Sequence, residues 1–143
     1  KRAGIAAADW TLGQAAFRLT GIEAEGASLS TQDYERIAAA LGRKLRDHGH
    51  HVLPVNPALA AVEGVPTVAL DALPEGLDTV TVYLGAERML PLVPTLAARA
   101  PRRVILNPGA DDPSVVAALE AAGVRVQLDC TLILLDTGTF DAA

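Results

Sequence analysis

Four short runs rich in β-branched residues, Val52 to Val55, Thr79 to Leu84, Val104 to Leu106 and Val124 to Leu128, are separated by stretches with helical spacing. Parallel strands are joined by crossovers of a dozen or more residues, usually helical, so this alternation spells βαβ units. Three of the runs carry apolar residues on both faces of the pleat, as buried parallel strands do; Val124 to Leu128 alternates more and suits an edge. The expected fold is α/β, a three-layer α/β/α doubly wound sheet of about five parallel strands. Ala16 to Ile22 is assigned as the first strand, which leaves residues 1–15 as an N-terminal extension and 16–143 as the domain.

The helices show their ends. Ser30 or Thr31 suits an N-cap, Ile37, Leu41 and Leu45 recur on one face, and Gly49 follows as a C′ residue. A later helix has Asp112 as cap, Pro113 in its first turn, Val116 and Leu119 on one face, and Gly123 as its stop. Between Glu87 and Arg99, Pro91 and Pro94 predict a late start or a bend. Gly64, Pro66, Pro74 and Gly76 predict an irregular crossover between Asn56 and Asp78 holding at most one short helix.

Composition narrows the function. A net charge of −5 and 3% aromatic residues argue against nucleic acid, which needs a basic face and stacking platforms. Half the residues are hydrophobic, but no run approaches the ~20 apolar residues of a bilayer span. Asp9 interrupts the stretch that a signal peptide would keep apolar. The single cysteine, Cys130, makes neither an intramolecular disulfide nor a CxxC site, so a soluble cytoplasmic protein is expected.

In an open parallel sheet, ligands bind beyond the carboxyl ends of the strands. That selects the loop from Gly21 to Ser30, Asn56 and Pro57, Leu84 to Ala86, and Asn107 to Gly109, where backbone N–H groups and helix dipoles suit an anion. The glycine-bearing first loop begins at Gly21 or at Gly26, and Gly21 is preferred because Glu23 and Glu25 are costly in a strand buried on both faces.

Other motifs have plainer readings. GIEAEGAS, from Gly21 to Ser28, has the P-loop spacing, but Ala27 stands where the phosphate-binding lysine belongs. The Asp-Thr-Gly at Asp136 to Gly138 lies too near the end of an α/β chain for an aspartic protease. His48, His50 and His51 fit a helix end and a strand start, with no Cys, Asp or Glu motif to complete a metal site. Cys130 reads as a small buried hydrophobe before a reactive thiol, and Trp10 as an anchor of the N-terminal segment to the body or to a second subunit. No nucleophile, base or carboxylate pair is securely placed at the crevice, so catalysis is not expected.

Several runs together resemble a known family. These are VILNPG (Val104 to Gly109) with DDP behind it, HVLPVNP (His51 to Pro57) after a helix ending in HG, DTVTVYLG (Asp78 to Gly85) and CTLILLDTGTF (Cys130 to Phe140). They resemble, in order and spacing over about Arg36 to Phe140, the single-domain CoA-binding proteins. Those are Rossmann-like domains similar to the CoA-binding domain of the succinyl-CoA synthetase alpha subunit. The resemblance implies a non-catalytic module that binds coenzyme A or a related acyl-CoA or adenine nucleotide. It implies that Asn107, Pro108 and Gly109, with Leu84 and Gly85, line the pantetheine or pyrophosphate path, and that Val55, Asn56 and Pro57 approach the adenosine. Gly26, Ala27 and Ser28 would supply the first-loop motif and Arg36 its arginine.

The first loop departs from that pattern: it is longer, lacks the proline, carries Glu23, Glu25 and Asp33, and has Ile37 for the aromatic. Carboxylates beside a pyrophosphate repel it. The alternative is therefore a structural or regulatory Rossmann-like protein that has lost its ligand. The expected partners are a CoA-like small molecule and, with Trp10 as anchor, a second copy of the chain; nucleic acid and membrane are not among them.

Overall fold

The computed structural model describes the backbone of residues 3–7, 31–55, 60–62 and 64–141, and the side chains of those from residue 39 onward. The β-branched runs become strands β2 (His51–Val55), β5 (Thr79–Val82), β6 (Arg103–Leu106) and β7 (Val126–Leu128). A further strand, β1 (Ala3–Ala7), pairs in parallel with β2 on one side and β5 on the other. β5, β6 and β7 continue the parallel pairing, so the sheet runs β2-β1-β5-β6-β7. As expected, β7 is an edge.

The position of β1 corrects the sequence reading. The segment assigned as an N-terminal extension supplies a central strand, while Ala16 to Ile22 lies outside the described residues. The sequence of β1, AGIAA, has one β-branched residue and weak strand propensity; its place comes from ladders on both edges, which no local signal reports.

The connections follow the expected chemistry. Helix α1 (Thr31–Asp47) buries Leu41 and Leu45 and ends at Gly49, whose φ of 83° is the left-handed conformation that glycine adopts cheaply. The crossover after β2 holds a short antiparallel pair, β3 (Ala61–Val62) with β4 (Val65–Pro66), and one 3₁₀ turn at Leu70–Ala72. The expected bend in the next helix is real: α2 (Ala86–Met89) passes through a 3₁₀ turn at Leu90–Leu92, containing Pro91, into α3 (Val93–Ala98). Helix α4 (Pro113–Ala121) starts where predicted, the Asp112 carboxylate accepting from Ser114 N–H at 2.8 Å. Helix α5 (Thr131–Asp136) follows β7.

These helices make three layers. Val80, Val82, Val104 and Leu106 point to one side of the sheet and join Leu73, Leu77, Met89, Val93, Leu96, Val115 and Leu119 in one apolar core. The alternate residues Thr79, Thr81, Tyr83, Arg103, Ile105 and Asn107 project to the other side, which α1 and α5 cover. A Lys44 to Asp136 ion pair at 2.5 Å links those two helices.

Candidate functional site

The strand order reverses direction between β1 and β5: the chain goes from β1 to β2 on one side, then to β5, β6 and β7 on the other. Such a switch point leaves a crevice at the carboxyl ends, because the flanking crossovers depart to opposite faces. The loop after β5, Tyr83 to Gly85, borders it directly. Val55 ends β2, and Asn107, Pro108 and Gly109 follow β6, so all six described site candidates share one edge of the sheet. Gly21, Gly26, Ala27, Ser28, Asn56 and Pro57 lie outside the described residues; Arg36 lies in α1, its side chain undescribed.

The candidates differ in how they are held. Leu84 is buried, Gly85 is the extended residue before α2, and Gly109 is exposed with a φ of 96°. Asn107 is fully buried, and its side chain is committed to the protein. Its Nδ2 donates to Thr81 Oγ1 at 2.7 Å and to the Val82 carbonyl at 2.9 Å, while its Oδ1 accepts from Thr131 N–H at 2.8 Å. Asn107 thus ties the ends of β5 and β6 to the start of α5. Any ligand contact there falls to backbone.

Carboxylates already serve the neighbouring N–H groups. Asp111 accepts from Gly109 N–H at 3.3 Å, Asp112 caps α4, and Asp129 accepts from Cys130 N–H at 3.0 Å. The Ser114 hydroxyl and N–H hold the Asp112 carboxyl below the usual carboxylate range. The β6 and β7 end of the edge therefore carries negative charge where a phosphate would need donors.

Sequence reasoning missed a buried polar cluster beneath this edge. Thr81 and Thr131 share a hydroxyl hydrogen bond of 2.7 Å, and the Tyr83 hydroxyl lies near both and near Cys130. Tyr83 is 1% exposed, and its hydroxyl sits against those of Thr131 and Thr81 without a hydrogen bond of good geometry among the described residues. Burial, reinforced by Cys130, pushes its ionisation far up. The signal was present in DTVTVYLG, where Thr79, Thr81 and Tyr83 fall on alternate positions of one strand face.

Cys130 is buried, and its sulfur accepts from Ile133 N–H at 3.4 Å, the place an oxygen usually takes at an N-cap. Burial pushes its thiol pKa up. The histidines part company: His48 Nδ1 is 2.7 Å from the Lys44 carbonyl oxygen, His50 packs edge-on against Phe140 at 4.7 Å, and His51 is exposed on β2. Among the described residues no group of three His, Cys, Asp or Glu is placed to hold a metal. No helix among them is long and apolar enough to cross a membrane. A depression of about 570 Å³ lined by His51, Leu53, Glu75, Asp78 and Arg102 lies at the amino ends of the strands, the opposite pole.

Residues 26–136 match the CoA binding domain family. The chain belongs to that family. The fold is also that of solved structures: an uncharacterized protein with a TM-score of 0.72 and 25% identity over 98% of each chain, and cell-free ID.343 from Thermus thermophilus, with a TM-score of 0.67 and 27% identity over 97% of this chain and 91% of that one. A conserved hypothetical protein from Pyrococcus furiosus, 18% identical, shares the fold with a TM-score of 0.61 over 93% of this chain and 98% of its own. No curated protein matches.

Proposed function

We propose that this CoA binding domain holds coenzyme A, or a related acyl-CoA or adenine nucleotide, along the carboxyl edge of its sheet and performs no chemistry on it. The observation that carries this reading is the family match over a chain whose switch point opens beside Leu84 and Gly85. Asp111, Asp112 and Asp129 divide the edge electrostatically. Their charge favours the neutral pantetheine beside Asn107, Pro108 and Gly109 over the pyrophosphate, since like charges repel. The phosphates then belong at the switch point, with Gly21, Gly26, Ala27, Ser28 and Arg36 as their partners. Val55, Asn56 and Pro57 approach the adenosine. The expected setting is cytoplasmic, with a second copy of the chain as a further partner.

Calorimetric titration with CoA, acetyl-CoA, ADP and NAD tests the proposal: CoA should release heat and raise Tm, and silence from all four at millimolar concentration removes it. The same aspartates, with Glu23 and Glu25, favour a second reading, a regulatory protein that keeps the fold without the ligand. Recovery of CoA from natively purified protein by mass spectrometry counts against that reading.

A further inference from the structure

We infer that the outer edge of β7 is an interaction surface for a second copy of this chain, the two β7 strands pairing antiparallel about a two-fold axis through Gln127. The inference gives a surface to the second copy expected under the functional reading above, and it does not depend on which ligand the carboxyl edge holds. Among the described residues β7 (Val126–Leu128) ends the sheet, paired with β6 on one side only. The parity of that ladder fixes which of its backbone groups are spent. The Arg125 carbonyl accepts from Val104 N–H at 2.8 Å, and Asp129 N–H donates to the Leu106 carbonyl at 3.3 Å. Odd-numbered residues therefore turn their backbone groups to β6, and the N–H and C=O of Val126 and of Leu128 point away from the sheet.

A free edge offers main-chain groups to any extended chain, so the side chains must select the occupant. Turning a second copy about Gln127 sets Val126 opposite the partner's Leu128 and Leu128 opposite the partner's Val126. All of these residues have their backbone groups free, so each pair exchanges both N–H···O bonds. The same turn sets Arg125 opposite the partner's Asp129, and Asp129 opposite the partner's Arg125, with the neutral Gln127 on the axis. Arg125, Gln127 and Asp129 share the sheet face that holds Arg103, whose Nη1 donates to Gln127 Oε1 at 2.9 Å. Arg125 is exposed and meets no carboxylate among the described residues; Asp129 accepts from Gln127 Nε2 and Cys130 N–H but meets no cation among them. On the other face Leu128 is 56% exposed, and pairing lays it against the partner's Val126, a half-buried residue at the margin of the apolar core.

Only this register is self-complementary. An axis through Val126 or Leu128 brings in Val124 or Cys130, whose N–H groups are already given to the Leu119 carbonyl and the Asp129 carboxylate. It also leaves Arg125 opposite Gln127 or Thr131. A strand of another protein would have to carry the cation, the amide and the anion in reverse order, whereas a second copy does so by symmetry. With three residues to a strand the interface is small, so the dimer is weak and concentration-dependent.

Sedimentation velocity on the full chain, from micromolar to millimolar concentration, tests this. The native chain should dimerise. Arg125→Asp sets like charges opposite each other at both ends of the pairing, and Asp129→Arg does the same with cations, so each alone should raise the dimer dissociation constant about tenfold or more. An equimolar mixture of the two variants restores opposite charges at both ends and should dimerise like the native chain. Thermal melts by circular dichroism read folding separately. Should Asp129→Arg not fold, Arg125→Lys takes the place of the mixture, and should dimerise like the native chain where Arg125→Asp does not. A dimer that Arg125→Asp leaves intact, or a loss that neither the mixture nor Arg125→Lys avoids, overturns the β7 surface. A chain monomeric throughout overturns it too, and leaves the edge to a strand of another protein; heat from CoA titrated into that monomer keeps the binding proposal.

Discussion

The two faces of the sheet are built on opposite principles. Toward α2, α3 and α4 the strands present Val80, Val82, Val104 and Leu106 to a dry core, where one apolar side chain can replace another of similar volume at modest cost. Toward α1 and α5 they present Thr79, Thr81, Tyr83, Arg103 and Asn107, every one of them buried. On that face specific partners replace shape. Arg103, 0% exposed, donates to Thr79 Oγ1 at 2.8 Å, to Gln127 Oε1 at 2.9 Å and to the Phe140 carbonyl at 2.6 Å, and its guanidinium lies 4.5 Å from the centre of the Phe140 ring. It clamps the C-terminal segment to the amino half of the sheet, and Asn107 clamps α5 to the carboxyl half. The apolar face supplies a dry core, while the polar face fixes where α5, and with it Cys130, sits.

The largest effect should come from the polar face. Arg103→Ala strands three acceptors and opens a cavity, so it should cost about 4 kcal/mol in urea denaturation. Leu119→Ala, fully buried on the apolar face, should cost about 3 kcal/mol. If the order reverses, the arginine network is ornament and the contrast between the faces fails.

Tyr83→Phe sharpens the contrast, because it removes a buried hydroxyl that lacks a hydrogen bond of good geometry among the described residues. Stability should stay level or rise by about 1 kcal/mol. A clear loss would show that Thr131 or Thr81 satisfies the hydroxyl.

The smallest effect is electrostatic and lies at the rim. The folded-state pKa of Asp112 is depressed, so its cap contributes above the unfolded carboxyl value near about 4 and is lost as pH falls through the folded one. The gap in Tm between the native chain and Asp112→Ala should be full at neutral pH and close in acid. A gap that persists unchanged well below pH 3 would mean that the uncharged cap suffices.

Much of the fold was legible because its signals are local. Asp112, Pro113 and Gly123 bracket α4 by capping chemistry alone, and Pro91 announces the break between α2 and α3. The site was legible only in outline. The loops after β5 and β6 follow from the rule for parallel sheets, but nothing in NPG says that the Asn107 side chain is consumed by Thr81, Val82 and Thr131, because those bonds join residues 24 to 26 positions apart.

By itself the sequence determined the alternation of strands and helices, the helix ends and the CoA-type pattern, since periodicity and caps act over a few residues. Tertiary structure alone decided that Ala3–Ala7, and not an extension, fills the centre of the sheet, because a central strand is defined by its two neighbours rather than by its own propensity. It also decided which of the described strand-end groups are already occupied, because Asn107, Gly109 and Cys130 are bonded to partners that the chain brings in from other elements or from the adjoining turns.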